Sequence, residues 1–202
     1  ATLGTAVHTL TIVDDDGGPT IGFSLSSSSG TEATASPTLT VSLNVTSGLS
    51  TSVDYAVTGG TATGGGTDFT LAAGTATISA GGTSTSITLN VTGDTLDEVN
   101  ETVIVTLSNV VNADLGVATH TYTITDDDNS PTVGFSATSS SGPEGTAGPT
   151  ITVSTNAVSA QNVSVQYAVS GGTATGGGVD YTLASGTATI SAGATSAVIT
   201  LS

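Results

Sequence analysis

Short stretches of the chain alternate hydrophobic and polar residues, which is the pattern of a β-strand with one buried face. In one such stretch, Leu39, Val41, Leu43 and Val45 fall on one face, with polar residues between them. Segments rich in Gly, Ser and Asn separate the stretches and are typical of turns. Between residues 17 and 128 we therefore predict the strands Thr20–Leu25, Leu39–Val45, Ser52–Thr58, Thr75–Ser79, Ser84–Val91, Thr102–Leu107 and Ala118–Thr125.

Seven or eight short strands in a span of this length indicate an all-β fold, specifically an Ig-like β-sandwich. We expect a core of Val, Ile, Leu and Ala, with Phe23, Tyr55 and Phe69 as its large side chains. Asp54 falls on an outward strand position and is interpreted as a solvated charge. Asp114 is interpreted as a turn residue.

The pattern repeats with a period of 112 residues. The sequence GGTATGGG occurs at 59–66 and again at 171–178, and GTATISAG occurs at 74–81 and again at 186–193. The same offset relates His8 to His120 and Tyr55 to Tyr167. A unit of this length is too long for one turn of a solenoid and suits an independent sandwich domain.

The phase of the repeat divides the chain into three parts. Residues 17–128 form one complete unit, and residues 129–202 form a second unit without a counterpart of 91–128. Residues 1–16 match 113–128, so we predict that they are the terminal strand of a preceding or partner unit. Two explanations remain open: the sequence is cut from a longer array, or strands are completed between chains.

Charge excludes several classes of function. The chain has 16 acidic residues and neither Lys nor Arg, for a formal net charge of −16. It therefore cannot neutralise the phosphates of a nucleic acid, and it has no basic face for an anionic membrane. Its apolar runs are far too short to insert into a bilayer. Without Cys, it has neither disulfides nor thiolate metal ligands.

Most of the acidic residues fall in loops and at strand ends, and three are consecutive at Asp126–Asp128. Adjacent carboxylates repel one another, and no basic side chain in the chain can offset that repulsion. A hard divalent cation can. Ca²⁺ accepts six to eight oxygen ligands in irregular geometry, whereas Mg²⁺ requires a stricter octahedron and Zn²⁺ prefers His or Cys. The pattern therefore favours acidic residues that bind Ca²⁺ over the alternative, in which the same residues lie in solvated Asp-rich turns without a metal.

Three motifs together resemble the Calx-beta domain. They are the Gly-rich run GTATGGGTDF (Gly60–Phe69), the acidic loop and apolar strand GDTLDEVNETVIVTLSN (Gly93–Asn109), and the terminal TITDDD (Thr123–Asp128). The resemblance implies an Ig-like sandwich, often in tandem. It also implies one of two settings: the Ca²⁺ sensors of sodium–calcium exchangers, or the repeat modules of large microbial surface and adhesion proteins.

The resemblance also implies a set of Ca²⁺ ligands in the complete unit. A departure from the family pattern is Gly93, which stands where richly liganded members have an acidic residue, so we expect one to three ions. The second unit retains Glu144 and Asp180 but has no acidic loop, and Asp14–Asp16 belong to a preceding or partner unit. The implied ligands are Glu32, Asp68, Asp94, Glu98, Glu101, Asp126, Asp127 and Asp128.

No catalytic motif accompanies these residues. His8 and His120 share one repeat position on a strand, which indicates packing or surface placement, and no G-x-S-x-G turn is present. The GGTATGGG loop is not followed by Lys, and Asp68 beside it would repel phosphate. We therefore expect no enzymatic activity.

The functional hypothesis is an extracellular, secreted structural protein, such as an adhesin, surface stalk or filament, whose sandwiches are stabilised by Ca²⁺. Its expected partners are neighbouring repeat units or identical chains, together with an unidentified cell-surface or glycan receptor. Two alternatives are a regulatory Ca²⁺-sensing module and a filament subunit that polymerises by exchanging strands between chains.

Overall fold

A computed structural model describes residues 1–13, 15, 17–34, 36–143 and 148–202 of the chain. The described residues form β-strands and turns and no helix, so none of them forms a helix that could cross a membrane. The strands of the first unit are β1 (Thr20–Phe23), β2 (Ser27–Thr31), β3 (Thr38–Leu43), β4 (Thr51–Gly60), β5 (Phe69–Thr70), β6 (Gly74–Ile78), β7 (Ser84–Thr88), β8 (Asn90–Val91), β9 (Glu101–Val111), β10 (Asp114–Leu115) and β11 (Thr119–Thr125).

These strands form two sheets, with the orders β10-β1-β3-β7 and β2-β11-β9-β4-β6. Most neighbouring strands are antiparallel, but β10 runs parallel to β1 and β2 runs parallel to β11. Strands β5 and β8 form a separate short pair at one end of the sandwich. The predicted all-β sandwich is confirmed.

The core lies between the two sheets and is built from the inward positions of the alternating strands. Val, Ile and Leu side chains from both sheets form one buried cluster with Phe23 and Phe69. Tyr55 was predicted to be a large side chain of the core, but it is only partly buried and packs against this cluster. Tyr122 is the fully buried tyrosine instead. Val45 is exposed, because β3 ends at Leu43 before its alternation can continue.

Three short strands of the first unit, β2, β5 and β10, lie where none was predicted. The β2 sequence, SSSGT, has no apolar alternation, and its strand forms because it pairs along β11. Asp114 lies in β10, opposite Thr20, rather than in a turn. The outward placement of Asp54 is correct, but its carboxylate is also hydrogen-bonded, to Thr75 Oγ1 at 2.6 Å and Asn109 Nδ2 at 3.0 Å.

His120 holds β2 against β11 from inside the sandwich. Its Nδ1 donates to the Leu25 carbonyl at 2.7 Å, its Nε2 lies 2.8 Å from Ser28 Oγ, and its ring packs against Phe23. His8, at the same repeat position, is exposed. The two histidines therefore have different surroundings in spite of their equivalent place in the repeat.

This difference gives a matched pair of substitutions. We expect His120→Ala to lower the free energy of unfolding by about 2 to 4 kcal/mol, because it opens a cavity and leaves Ser28 and Leu25 without their partner. His8→Ala should leave it unchanged. Urea denaturation of both variants measures the two values, and equal effects would show that the ring of His120 contributes nothing to the fold.

The second unit repeats part of this plan. Its strands are β12 (Val133–Phe135), β13 (Thr150–Thr155), β14 (Val163–Tyr167), β15 (Gly186–Ile190) and β16 (Ser196–Thr200). They form the sheets β12-β13-β16 and β14-β15 around a small buried cluster. Phe135 is 60% exposed, whereas its counterpart Phe23 is 3% exposed. The strands that cover Phe23 lie in 91–128, the part of the unit that has no counterpart here.

Residues 1–13 form no strand, and all of them are exposed. Their apolar side chains, such as Leu3 and Ile12, have no cover among the described residues. Their assignment to a preceding or partner unit stays a prediction.

Candidate metal centre

The acidic residues of the first unit meet at one end of the sandwich because of the strand directions. Strands β2 and β11 are parallel, with Thr31 opposite Thr125, so both chains leave the sheet at the same end. Glu32 follows β2, and Asp126 follows β11. The Glu32 N–H donates to the Thr125 carbonyl at 3.1 Å, which holds the two exits together.

Two further segments reach the same end. Strand β9 begins at Glu101, opposite Ile124 near the end of β11, and the acidic loop (residues 92–100) precedes it. Asp68 lies just before β5, which pairs with β8, and the Asp68 carbonyl accepts the Thr92 N–H at 2.8 Å. Four chain segments that are distant in sequence therefore place carboxylates together.

The Gly-rich loop fixes the direction of Asp68. Gly65 and Gly66 have φ values of 83° and 98°, a backbone conformation that residues other than Gly rarely adopt. The loop thus returns on itself, so that the Thr63 N–H donates to Asp68 Oδ2 and the Asp68 N–H donates to the Thr63 carbonyl. The second unit repeats this arrangement at Asp180, whose Oδ2 accepts the Thr175 N–H at 2.7 Å.

The structure brings six of the eight predicted ligands into two groups of three. Within each group, one carboxylate oxygen from each residue lies within 4.8 Å of the others. Such spacing suits oxygens around a common cation. The first group is Glu32, Asp126 and Asp128, and the second is Asp68, Glu98 and Glu101.

The crowding of these carboxylates disfavours their charged forms. Burial, followed by the negative charges of Glu98 and Asp126, raises the pKa of Glu32 to about 7. Burial also raises the pKa of Glu101 to about 7, assisted by its side-chain hydrogen bond to Asp68 and by the charge of Asp68. The pKa values of Glu98 and Asp128 are raised as well, with burial as the largest cause.

Asp128 provides a separate indication of a cation site. Its Oδ2 is buried and has no hydrogen-bond partner among the described residues. Buried carboxylate oxygens without a partner are costly, and a bound cation would satisfy this one. Because the protein supplies no basic side chain, the donor set fits a hard divalent cation bound entirely by oxygen.

The other two predicted ligands lie outside these groups. Asp94 is near the first group but uses its Oδ1 to accept the Leu96 N–H at 2.7 Å. Asp127 is exposed, because the side chains of consecutive residues alternate and those of Asp126 and Asp128 point inward. Their role as ligands stays a prediction. Glu144, Asp14 and Asp16 lie outside the described residues.

Gly93 has a structural explanation. A Cβ atom built at this position would lie 3.0 Å from the backbone oxygen of Glu32. The close approach of the two backbones therefore favours Gly at the position where the family pattern has an acidic residue.

Asp97 was not predicted to have a particular role, and it belongs to neither group. It is 6% exposed, and its carboxylate accepts hydrogen bonds from Ser130 and Ser159 of the second unit. These bonds, first that from Ser159, lower its pKa. The only sequence signal for this contact is that Ser159 and Ser47 occupy the same repeat position.

The fold and the site together define a class of protein: tandem β-sandwich domains with carboxylates grouped at an acidic tip. The Calx-beta domain family matches residues 14–129 and, a second time, residues 126–202. The chain belongs to the Calx-beta domain family.

Solved structures of the same family share the fold. An apo-form Calx CBD1 domain is 24% identical, with a TM-score of 0.52, covering 55% of this chain and 100% of its own. The two-domain CBD12 from CALX1.2 is 22% identical, with a TM-score of 0.52, covering 90% of this chain and 73% of its own. The calcium binding domain CBD12 of CALX1.1 is 20% identical, with a TM-score of 0.51, and the match covers 89% of this chain and 74% of the CALX1.1 chain. None of the curated proteins compared with the chain matches it.

Proposed function

We propose that the first unit binds Ca²⁺ at its acidic tip and that the two units act as a Ca²⁺-responsive tandem module without enzymatic activity. The buried, unpartnered Oδ2 of Asp128 within a group of three carboxylates is the observation that carries this proposal. The similarity to CBD12 of CALX1.1, which is a calcium binding domain, agrees with it.

The choice of Ca²⁺ follows from the ligands. Two groups of three carboxylates supply oxygen atoms, which are the ligands that this ion prefers. The loops that carry them differ in length and direction, which suits the irregular geometry of Ca²⁺ better than the octahedron of Mg²⁺. Among the described residues, no His lies in either group, which disfavours Zn²⁺.

The acidic loop connects the ion to the second unit. Glu98 belongs to a carboxylate group, whereas the neighbouring Asp97 contacts Ser159. A cation that draws Glu98 toward Asp68 and Glu101 therefore acts on a segment that also holds the second unit. Such an arrangement supports a regulatory role, in which the bound ion shifts the acidic loop and, with it, the position of the second unit.

A structural role outside the cell is the second candidate function. It is favoured by the 112-residue repeat, by the absence of Lys and Arg, which leaves no site for trypsin-like proteases, and by the direct contact between units. In this setting, the partners are neighbouring units or identical chains, and Ca²⁺ stabilises each joint of an adhesin, stalk or filament. Scattering with and without EDTA tests it, since unchanged dimensions and melting temperature would argue against an ion-stiffened joint.

Asp68 and Asp180 give a matched test of the metal centre. We expect Asp68→Asn to weaken Ca²⁺ binding by roughly 10- to 100-fold, because it removes one charged ligand from a group of three. Asp180→Asn should not weaken it, since Asp180 holds the same loop conformation without the acidic loop beside it. Calorimetric titration with Ca²⁺ measures both. Equal affinities for the two variants would place the ion elsewhere.

A further inference from the structure

The two units are joined by a small set of hydrogen bonds between the acidic loop and one turn of the second unit. Asp97 and Ser159 form a parallel β-bridge, and the Ala160 N–H donates to the Asp97 carbonyl at 3.0 Å. Ser159 Oγ donates to Asp97 Oδ2, and Ser130 Oγ donates to Asp97 Oδ1 at 2.7 Å. Gln161 adds a bond from its Nε2 to the Glu98 carbonyl at 3.0 Å.

Burial shows that this contact excludes water. Ser159 is 2% exposed, although it lies in a turn between strands, where serine is usually solvated. A hydrogen bond from a hydroxyl to a buried carboxylate is stronger than one between neutral groups. The contact needs no cation, because Asp97 is satisfied by hydroxyl groups and a backbone N–H.

The turn that receives Asp97 is repeated in the first unit. Around Ser159, the Gln161 N–H donates to Ser159 Oγ at 3.0 Å, and the Gly193 N–H donates to its carbonyl at 2.9 Å. Around Ser47, the Leu49 N–H donates to Ser47 Oγ at 3.0 Å, and Gly81 N–H donates to the Ser47 carbonyl at 2.8 Å. The two turns have the same internal bonds.

The Ser47 turn differs in being open to solvent. Ser47 is partly exposed, and Leu49 is 62% exposed. Among the described residues, Ser47 Oγ donates to no acceptor, whereas Ser159 Oγ donates to Asp97. The Ser47 turn therefore has the same structure as the turn that binds Asp97, but no acidic loop contacts it among the described residues.

The sequence identifies that partner. Residues 1–13 are the counterpart of 113–125, which contain β11. The same number of residues leads from residue 13 to Pro19 and from residue 125 to Pro131, because the offset of 112 residues is kept throughout. A unit that ends in residues 1–16 would therefore reach the first unit as the first unit reaches the second. A second copy of the chain is a poorer partner, because its Asp97 is already bound to its own Ser159.

We propose that the turn around Ser47 is a docking surface for the acidic loop of a preceding Calx-beta unit, whose aspartate at the Asp97 position accepts the Ser47 hydroxyl. The joint would be looser than the observed one. Gly18 and Leu49 stand where Ser130 and Gln161 add hydrogen bonds, so only the bonds made by the turn itself are retained. Docking would cover part of the exposed Leu49 side chain.

The experiment extends the full chain by placing a copy of residues 17–112 directly before Ala1, so that residues 1–16 complete the added unit. Because the chain has no Cys of its own, spin labels attach only to the pairs of cysteines that are introduced at chosen positions. Electron–electron distance measurements across the added joint, and across the joint at Ser159, are made in EDTA and in Ca²⁺.

We expect a narrow distance distribution across the added joint in both conditions, and loss of the narrow component in Ser47→Ala. Ser159→Ala should broaden only the other joint, which makes the two substitutions controls for each other. Asp→Asn at the Asp97 position of the added copy should broaden the added joint while Ser47 and its turn remain intact.

Two results would overturn the proposal. One is a broad distribution with Ser47 present. The other is a distribution that narrows only with Ca²⁺ and does not respond to Ser47→Ala, which would assign the joint to the metal centre. Because Ca²⁺ affinity is measured separately on the same chains, failure of this docking surface and failure of the metal centre are distinguishable.

Discussion

Ca²⁺ is expected to raise the melting temperature of the first unit by roughly 15 to 30 °C at a free concentration near 1,000 times the dissociation constant. An ion that binds only the folded state adds about 4 kcal/mol at that concentration. For a domain of about 100 residues, each kcal/mol corresponds to about 4 to 8 °C. The physical source of the gain is the removal of repulsion among Glu32, Asp126 and Asp128 and among Asp68, Glu98 and Glu101.

Thermal unfolding monitored by circular dichroism, in EDTA and over a series of Ca²⁺ concentrations, measures this effect. Asp128→Asn should remove most of the gain, whereas Asp114→Asn, on an exposed two-residue strand at a distance from both groups, should retain it. Mg²⁺ at the same concentration serves as a control for simple screening of charge. A melting temperature that is indifferent to Ca²⁺ would contradict the proposed metal centre.

Acidification is expected to stabilise the metal-free protein. Glu32 and Glu101 have pKa values raised from 4.5 to about 7 in the folded state. A carboxyl group whose pKa is raised by folding contributes stability that is fully present at pH values below its pKa in the unfolded state. That contribution is lost as the pH rises through its pKa in the folded state. Stability in EDTA should therefore increase between pH 8 and pH 5, on the order of 2 to 4 kcal/mol, at about 1.4 kcal/mol per pKa unit and after solvent screening.

The pH range over which acidification stabilises the protein ends, at its acidic side, where carboxylates with lowered pKa values begin to be protonated. Hydrogen bonds, from Thr75 to Asp54 and from Ser159 to Asp97, hold the pKa values of both groups below 3.8. Their contribution is present above that pH and is lost only as pH falls below it. Between pH 5 and 8, the raised groups thus determine the slope.

Urea denaturation at several pH values, with and without Ca²⁺, tests the sign. Bound Ca²⁺ requires charged ligands, so its presence should reverse the slope and make the protein most stable at the higher pH. Glu32→Gln should flatten the slope in EDTA and, at pH 8, stabilise the metal-free protein while weakening Ca²⁺ binding. A metal-free protein that loses stability between pH 8 and pH 5 would refute the assignment of these carboxylates.

Local sequence was enough to predict the strands that form the centre of the sandwich. Strands β3, β4, β6, β9 and β11 alternate apolar and polar residues, so their buried faces are encoded within a few neighbouring positions. Strand β2 could not be predicted in this way, because its serines gain a sheet position only by pairing with β11, far along the chain. The same reason applies to β10 and Asp114.

The residue types of the candidate metal centre were also evident in the sequence, since a chain without Lys or Arg offers its crowded carboxylates no basic side chain to pair with. Their grouping was not. Asp97 and Glu98 are adjacent and chemically similar, yet one contacts the second unit and the other faces Asp68 and Glu101. The direction of Asp97 depends on its contact with a serine turn 62 residues away.

The sequence by itself thus determined the all-β class, the 112-residue repeat and the supply of carboxylates, because composition and alternation are local properties. Only the tertiary structure decided which carboxylates lie together, why Gly93 is a glycine, and that Asp97 joins the units. These outcomes depend on distances between segments that meet only after the strands have paired, and a linear pattern does not contain those distances.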